Sequence, residues 1–149
     1  MSYENIFANY NIHMPSAFQD RIKRFCGTGA QNKESIEYVP FERQVDLWFF
    51  SLIYAVNQGL PPAPSSDTYN ATSAAILSTD GYRPHLMQLI AVAHYQDVEV
   101  LTDSRKVFDL CLGLANAGIA YVLDILEGLE QPPLWSVFEK TEDMLPKMA

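Results

Sequence analysis

The sequence predicts a mainly α protein, a single compact helical domain of about five helices with at most one or two short strands. Three observations lead to this prediction. The chain has 149 residues, close to the usual size of one domain. Hydrophobic residues make up 48% and charged residues only 19%, which is enough apolar material for one core. Over several segments, the apolar residues recur at the i, i+3, i+4 and i+7 spacing of an amphipathic helix.

The N-terminal part of the chain has no clear period. Residues 1–14 are aromatic and polar, and they predict an irregular arm that includes at most a short strand. The helical domain then covers residues 15–149. Its first helix begins near Pro15 and places three apolar residues on one face: Phe18, Ile22 and Phe25. Gly27 is expected to end this helix.

The strongest helical pattern covers residues 41–58. Residues 36–39 before it alternate and predict a short strand, which Pro40 ends. The helix itself is apolar almost all round, so it is expected either at the centre of the core or against a partner. Gly59 and the prolines after it should end the helix.

A Pro/Ser-rich loop is predicted for residues 60–73. A loop of this length in a compact domain is often functional. It is not interpreted as a domain boundary, because the residues before it contain too few core positions to fold alone.

The second half of the chain is predicted to be helical. One helix covers residues 84–95, with a stripe formed by Leu86, Leu89, Ile90 and Ala93. Residues 98–101 are expected to be a strand or a tight connector, and Thr102 or Asp103 should cap the next helix. Gly118 is expected to interrupt that helix, a further stripe ends at Gly128, and residues 135–145 form the last short helix.

The net charge of the protein limits the kinds of molecule that it is expected to bind. A formal net charge of −8 with scattered basic residues argues against direct binding of nucleic acid, which requires clustered Lys and Arg. An acidic surface favours a basic protein partner instead. Mimicry of nucleic acid is an alternative, although the acidic residues are spaced rather than arranged in dense rows.

The N-terminal sequence and the two cysteines indicate a cytoplasmic protein. The N-terminus lacks the basic-then-apolar order of a signal peptide, and no membrane span is expected. Cys26 and Cys111 form no CxxC motif, and a reducing compartment suits both. Cys111 lies in an apolar helical run, where a thiol is a poor nucleophile.

No catalytic, cofactor or metal motif is recognisable, so the chain is predicted to be non-enzymatic, without a cofactor. The histidines at 85 and 94 lie on opposite faces of one helix and cannot share a metal through it. Asp80, Arg83 and His85 surround one turn and are the best candidates for a small polar site. The simpler interpretation is turn chemistry, with Arg83 paired to an acid.

Three segments resemble a known family. They are Asp46–Phe50 with Ala55, Gly59 and Leu60; then Leu89–Ala93 with Asp97; and finally Ala115–Ile119. Their order is similar to small accessory proteins of the Dnd type, which are encoded beside phosphorothioate-dependent DNA restriction systems. The resemblance covers about residues 43–125, and a proline-rich insertion at 61–64 departs from the family pattern. It implies an accessory role in antiviral defence or DNA modification, and no active residues.

The leading hypothesis from sequence is therefore a protein-interaction or accessory subunit that binds a protein partner or itself. Four aromatic residues are candidates for the interaction: Trp48, Phe50, Tyr54 and Trp135. One alternative is a small-ligand binder or enzyme with its site near Asp80, Arg83 and His85. The other is an acidic inhibitor that mimics nucleic acid.

Overall fold

The protein is mainly α-helical, as predicted. The structure is a computed structural model, and it describes residues 5–27 and 35–146. Within these ranges the chain forms five α-helices: α1 (Gln19–Arg24), α2 (Gln44–Asn57), α3 (Tyr82–Tyr95), α4 (Ser104–Leu126) and α5 (Pro133–Met144). Two strands form a small antiparallel sheet: β1 (Asn11–Pro15) and β2 (Thr68–Ser73).

Helices α2 and α4 form the centre of the core. Both are buried along most of their length, because both are apolar around more than half of their circumference. Trp48 and Leu52 of α2, and Ile119 and Leu123 of α4, have essentially no exposed surface. Of the two positions predicted for the 41–58 segment, the centre of the core or a partner interface, the structure shows the first, and the helix itself covers Gln44–Asn57.

The expected interruption at Gly118 is wrong, because α4 runs unbroken through it. Gly118 lies where α4 crosses α2. A Cβ atom at this position would lie 2.1 Å from the carbonyl oxygen of Ser51, closer than any two such atoms can approach. The glycine therefore permits a close crossing of two helices and does not end one of them.

The sheet corrects the predicted loop at 60–73. Strand β1 pairs with β2 from Asn11 opposite Ser73 to Pro15 opposite Thr68, with an irregularity between Ile12 and His13. The second half of the predicted loop at 60–73 is therefore a strand. The polar composition of these residues gave no sign of a strand in the sequence. Such a strand forms because its backbone pairs with another strand, and it has no apolar face that a sequence pattern would reveal.

The predicted arm at residues 1–14 is also part of the domain, as far as the structure describes it. Phe7 is fully buried, and its ring lies 5.6 Å from that of Phe108 in α4. Tyr10 contacts the same ring at 5.1 Å, and Ile12 of β1 is fully buried. Residues 5–15 thus cover one side of α4.

A strand was considered for two short segments, and neither of them forms one. Residues 36–39 form a turn, not a strand, because Tyr38 and Val39 donate hydrogen bonds to the Ser35 carbonyl. The segment Val98–Thr102 is a 3-10 helix and thus the tight connector that was the second option. The Asp103 carboxylate accepts the Lys106 amide at 3.1 Å, which confirms the predicted cap of α4.

The buried face of α3 differs from the face that the sequence pattern predicted. Met87, Ile90 and Ala91 are buried, whereas Leu89 is mostly exposed. The sequence offers apolar residues on two adjacent faces of this helix, and packing selects the face that contains Met87. The other face remains accessible beside the C-terminal end of α2.

Helix α4 is long and apolar enough to cross a membrane by length and composition alone, with a mean hydropathy of 1.5 over its most apolar window. Its apolar residues are largely buried inside this fold, as in the core helix of many soluble proteins.

We expect Gly118→Ala to lower the free energy of unfolding by about 2 kcal/mol, because overpacking at the α2–α4 crossing exceeds the roughly 1 kcal/mol gain in helix propensity. Urea unfolding at pH 7 measures the change. Gly128→Ala is the matched control, since its Cβ would meet its nearest atom at 3.4 Å. Equal stability of the two variants would contradict the close crossing.

Candidate functional site

Asp80 and Arg83 belong to a network of four charged side chains. Arg43 at the start of α2 contacts Asp46 and Asp80, both at 2.9 Å. Arg83 in the first turn of α3 contacts Asp46 at 3.0 Å and Asp80 at 3.6 Å. Two cations and two anions thus join the N-terminal ends of two helices, and the predicted pairing of Arg83 with an acid is confirmed.

Burial and hydrogen bonding shift the pKa values of this network. Burial raises the pKa of Asp46, but the hydrogen bonds and the positive charges of Arg43 and Arg83 together lower it by more, so the pKa of this carboxyl lies below its ordinary value. The carboxylates of Asp46 and Asp80 raise the pKa of Arg43. The Arg83 guanidinium also lies 4.8 Å from the centroid of the Phe49 ring.

His85 lies on the side of α3 opposite Arg83. Successive residues of an α-helix are rotated by about 100°, so positions 83 and 85 lie on nearly opposite sides of α3. Arg83 turns toward α2, whereas His85 is exposed. Asp80 and Arg83 thus join two helices through Asp46, and His85 lies apart from them.

Three of the four candidate interaction aromatics belong to the core. Trp48 is fully buried, and its indole Nε1 has no hydrogen-bond partner in the described part of the chain. The half-buried Phe50 lies 5.9 Å from the Phe41 ring. Tyr54 is buried and stacks on Tyr121 at 6.0 Å. These side chains are therefore largely occupied by contacts within the fold.

Trp135 is the candidate aromatic that the structure leaves accessible. It is 45% exposed and packs edge-to-face on Phe138, which is 54% exposed. Its indole Nε1 donates to the Glu37 carboxylate at 3.2 Å. The Leu134 amide donates to the Glu37 carbonyl at 2.9 Å, so residues 35–39 hold the start of α5 in place.

Acidic residues lie on the same helix as these rings and in the loop before it. A hollow of about 590 Å³ between the end of α4 and α5 is lined by Glu130, Glu139 and Asp143. Leu129 also lines it and is fully exposed. We call Leu129, Trp135 and Phe138, together with these three acidic residues, the α5 surface. Sequence reasoning missed Leu129, because a single leucine in a polar loop gives no signal of its exposure.

Two further depressions lie on either side of residues 60–67. The first, about 540 Å³, lies between the end of α2 and the outer face of α3, and we call it the α2–α3 groove. The second, about 700 Å³, lies along α4 and is lined by polar groups that include His13, Lys106 and Asn116. Pro62 lines both. In the second depression, Arg105 pairs with Asp109 at 3.1 Å, so part of its charge is neutralised locally.

Neither cysteine is a nucleophile at neutral pH. Burial raises the pKa of the Cys111 thiol to about 12, as its apolar helix face predicted. Burial, with a contribution from Asp46, raises the pKa of Cys26 to about 12 as well. Within residues 5–27 and 35–146, no three His, Cys, Asp or Glu side chains converge in a way that could hold a metal ion.

Comparison with protein-family models, curated proteins and solved structures finds no match to this chain.

We expect Asp46→Asn to destabilise the protein by about 2 kcal/mol at pH 7, because it leaves two partly buried guanidinium groups with one anion. Since the folded protein holds the Asp46 pKa below 3.8, this stabilisation is present above pH 3.8 and is lost as the pH falls through the lower folded value. The difference between wild type and variant should therefore narrow below about pH 4 in urea unfolding. Asp109→Asn is the control, since its exposed pair with Arg105 should change stability by less than ~0.5 kcal/mol.

Proposed function

We propose that this protein is a non-enzymatic, cytoplasmic interaction subunit that binds a basic protein partner through the α5 surface. The observation that carries the proposal is the exposed Trp135–Phe138 pair on the helix whose Glu139 and Asp143 line an acidic hollow. The resemblance to Dnd-type accessory proteins adds a setting, a bacterial defence or DNA restriction system.

The exposed rings would supply much of the binding free energy of such an interface. Trp is among the residues that dominate binding energy when a partner covers them. Trp135 is already oriented by its bond to Glu37 and by the Phe138 ring, so little conformational entropy is lost when it is covered. Leu129 extends the apolar area.

The acidic rim supplies the preference for a basic partner. Glu130, Glu139 and Asp143 share the hollow with one cation, Lys140. The Lys140 ammonium lies 5.7 Å from the centroid of the Tyr54 ring. Added to a net charge of −8, this arrangement steers a positively charged surface toward the rings.

The alternatives have less support. Self-association through the 41–58 helix would require residues that α4 already covers, and two chains of charge −8 repel each other. A catalytic site at Asp80, Arg83 and His85 would have to use charges that already neutralise one another.

Mimicry of nucleic acid requires a continuous row of free carboxylates. Several carboxylates in the described ranges are instead engaged within the fold: Asp46, Asp80, Asp97, Asp103, Asp109, Asp124 and Glu127. This leaves fewer acidic groups to imitate a phosphate backbone.

We expect Phe138→Asp to weaken binding of the partner at least roughly 30-fold, the effect of losing an interface hot spot. The measurement is recovery of a stoichiometric partner by the tagged protein from its native host, followed by titration of the purified pair. Raising NaCl from 0.05 to 0.5 M should slow association about ten-fold, because salt screens the acidic rim.

Leu89→Asp is the matched control, because it places the same charge on another exposed apolar residue, in α3. It should leave partner binding unchanged. Equal loss with both variants, or a protein that remains a solitary monomer by light scattering in host extract, would overturn the proposal.

A further inference from the structure

The α2–α3 groove has a buried floor and an apolar rim. Ala55, Ile90 and Leu114 form the floor and are buried. Val56 and Leu89 stand at the rim and are substantially exposed. The groove exists because α3 turns Met87 and Ala91 toward the core and leaves its second apolar face accessible.

The walls of the groove contain almost no polar side chains. Among the twelve residues that line this groove, only His94 has a polar side chain, and none is an acid, lysine or arginine. This absence of charged side chains contrasts with a chain whose net charge is −8. Because burying an unpaired charge against such walls is costly, the groove suits an uncharged occupant.

The volume of the groove also limits the size of a molecule that could bind in it. About 540 Å³ is within the range of sites that enclose one small molecule. A second copy of this chain would bring its own charge of −8.

The wall formed by residues 60–63 is held in place by the core. The Leu60 amide donates to the Ala55 carbonyl at 2.9 Å, and the Ala63 amide donates to the Gly113 carbonyl at 2.9 Å. Pro62 rests on Gly113, where a Cβ atom would lie 2.9 Å from the proline ring. A pre-formed wall of this kind lowers the entropy lost on binding.

We propose that the α2–α3 groove binds a small uncharged apolar molecule, aromatic or alicyclic, whose one hydrogen-bonding group faces His94. His94 can donate or accept through its imidazole nitrogens, so it can pair with a hydroxyl or carbonyl group. This site is independent of the α5 surface and shares no residue with it.

The test uses four naphthalene probes of similar shape: 1-naphthol, 1-naphthoate, 1-naphthylmethylamine and 1-methylnaphthalene. Two-dimensional ¹H–¹⁵N NMR titration of the whole protein at pH 7 reports both affinity and location. We expect 1-naphthol to bind with a dissociation constant on the order of 0.1 mM and to shift the amides of Gly59, Leu60, Leu89 and Ala93. The anionic and cationic probes should bind at least roughly ten-fold more weakly.

Two variants locate the site. Ala93→Phe fills the groove from an exposed helix position and should weaken 1-naphthol at least roughly ten-fold, whereas Ala75→Phe, at an exposed position outside the groove, should not. His94→Phe should weaken 1-naphthol about five-fold and leave 1-methylnaphthalene unchanged, because only the hydroxyl loses a partner.

The dispersed spectrum of each variant verifies that it is folded. Three results would overturn the proposal: no saturable shift with 1-naphthol up to 1 mM, equal affinity for the charged probes, or binding that Ala93→Phe leaves intact. Shifts confined to α5 would also overturn it, and would assign the probe to the α5 surface instead.

Discussion

The crossing of α2 over α4 at Gly118 is the contact on which the rest of the structure depends. Since the Ser51 carbonyl occupies the space that a Cβ of residue 118 would need, the two backbones approach more closely than side chains normally allow. The Ser51 hydroxyl, buried in this contact, donates to the carbonyl of Leu47 at 2.8 Å in its own helix. The crossing therefore contains no unsatisfied hydroxyl and can be almost entirely apolar.

Helix α4 positions the other elements along its length. The rings of Phe7 and Tyr10 cover Phe108 near its start, and Pro62 lies on Gly113 in its middle. Near its end, Arg21 of α1 pairs with Glu127, the residue that follows α4. The wall formed by Pro62 thus has one depression on each side and is attached to the middle of α4.

The charges divide into an internal and an external set. Arg43, Asp46, Asp80 and Arg83 neutralise one another between α2 and α3, so this polar cluster stabilises the arrangement of two helices. The acidic residues of the α5 surface are balanced by one lysine in their hollow. The two proposed sites therefore differ in chemistry, since one is acidic with exposed rings and the other is apolar and uncharged.

Local pattern alone was enough to predict the helical class, a core or interface position for the 41–58 segment, a helix cap at Thr102 or Asp103 and the pairing of Arg83 with an acid. Each of these depends on local periodicity or on chemistry within a few residues. Long-range packing established that Gly118 continues a helix, that residues 68–73 pair with β1, and which face of α3 is buried. It also decided that Trp48 is enclosed while Trp135 is accessible. These outcomes depend on which distant segment occupies the space beside a residue, and one-dimensional spacing does not contain that information.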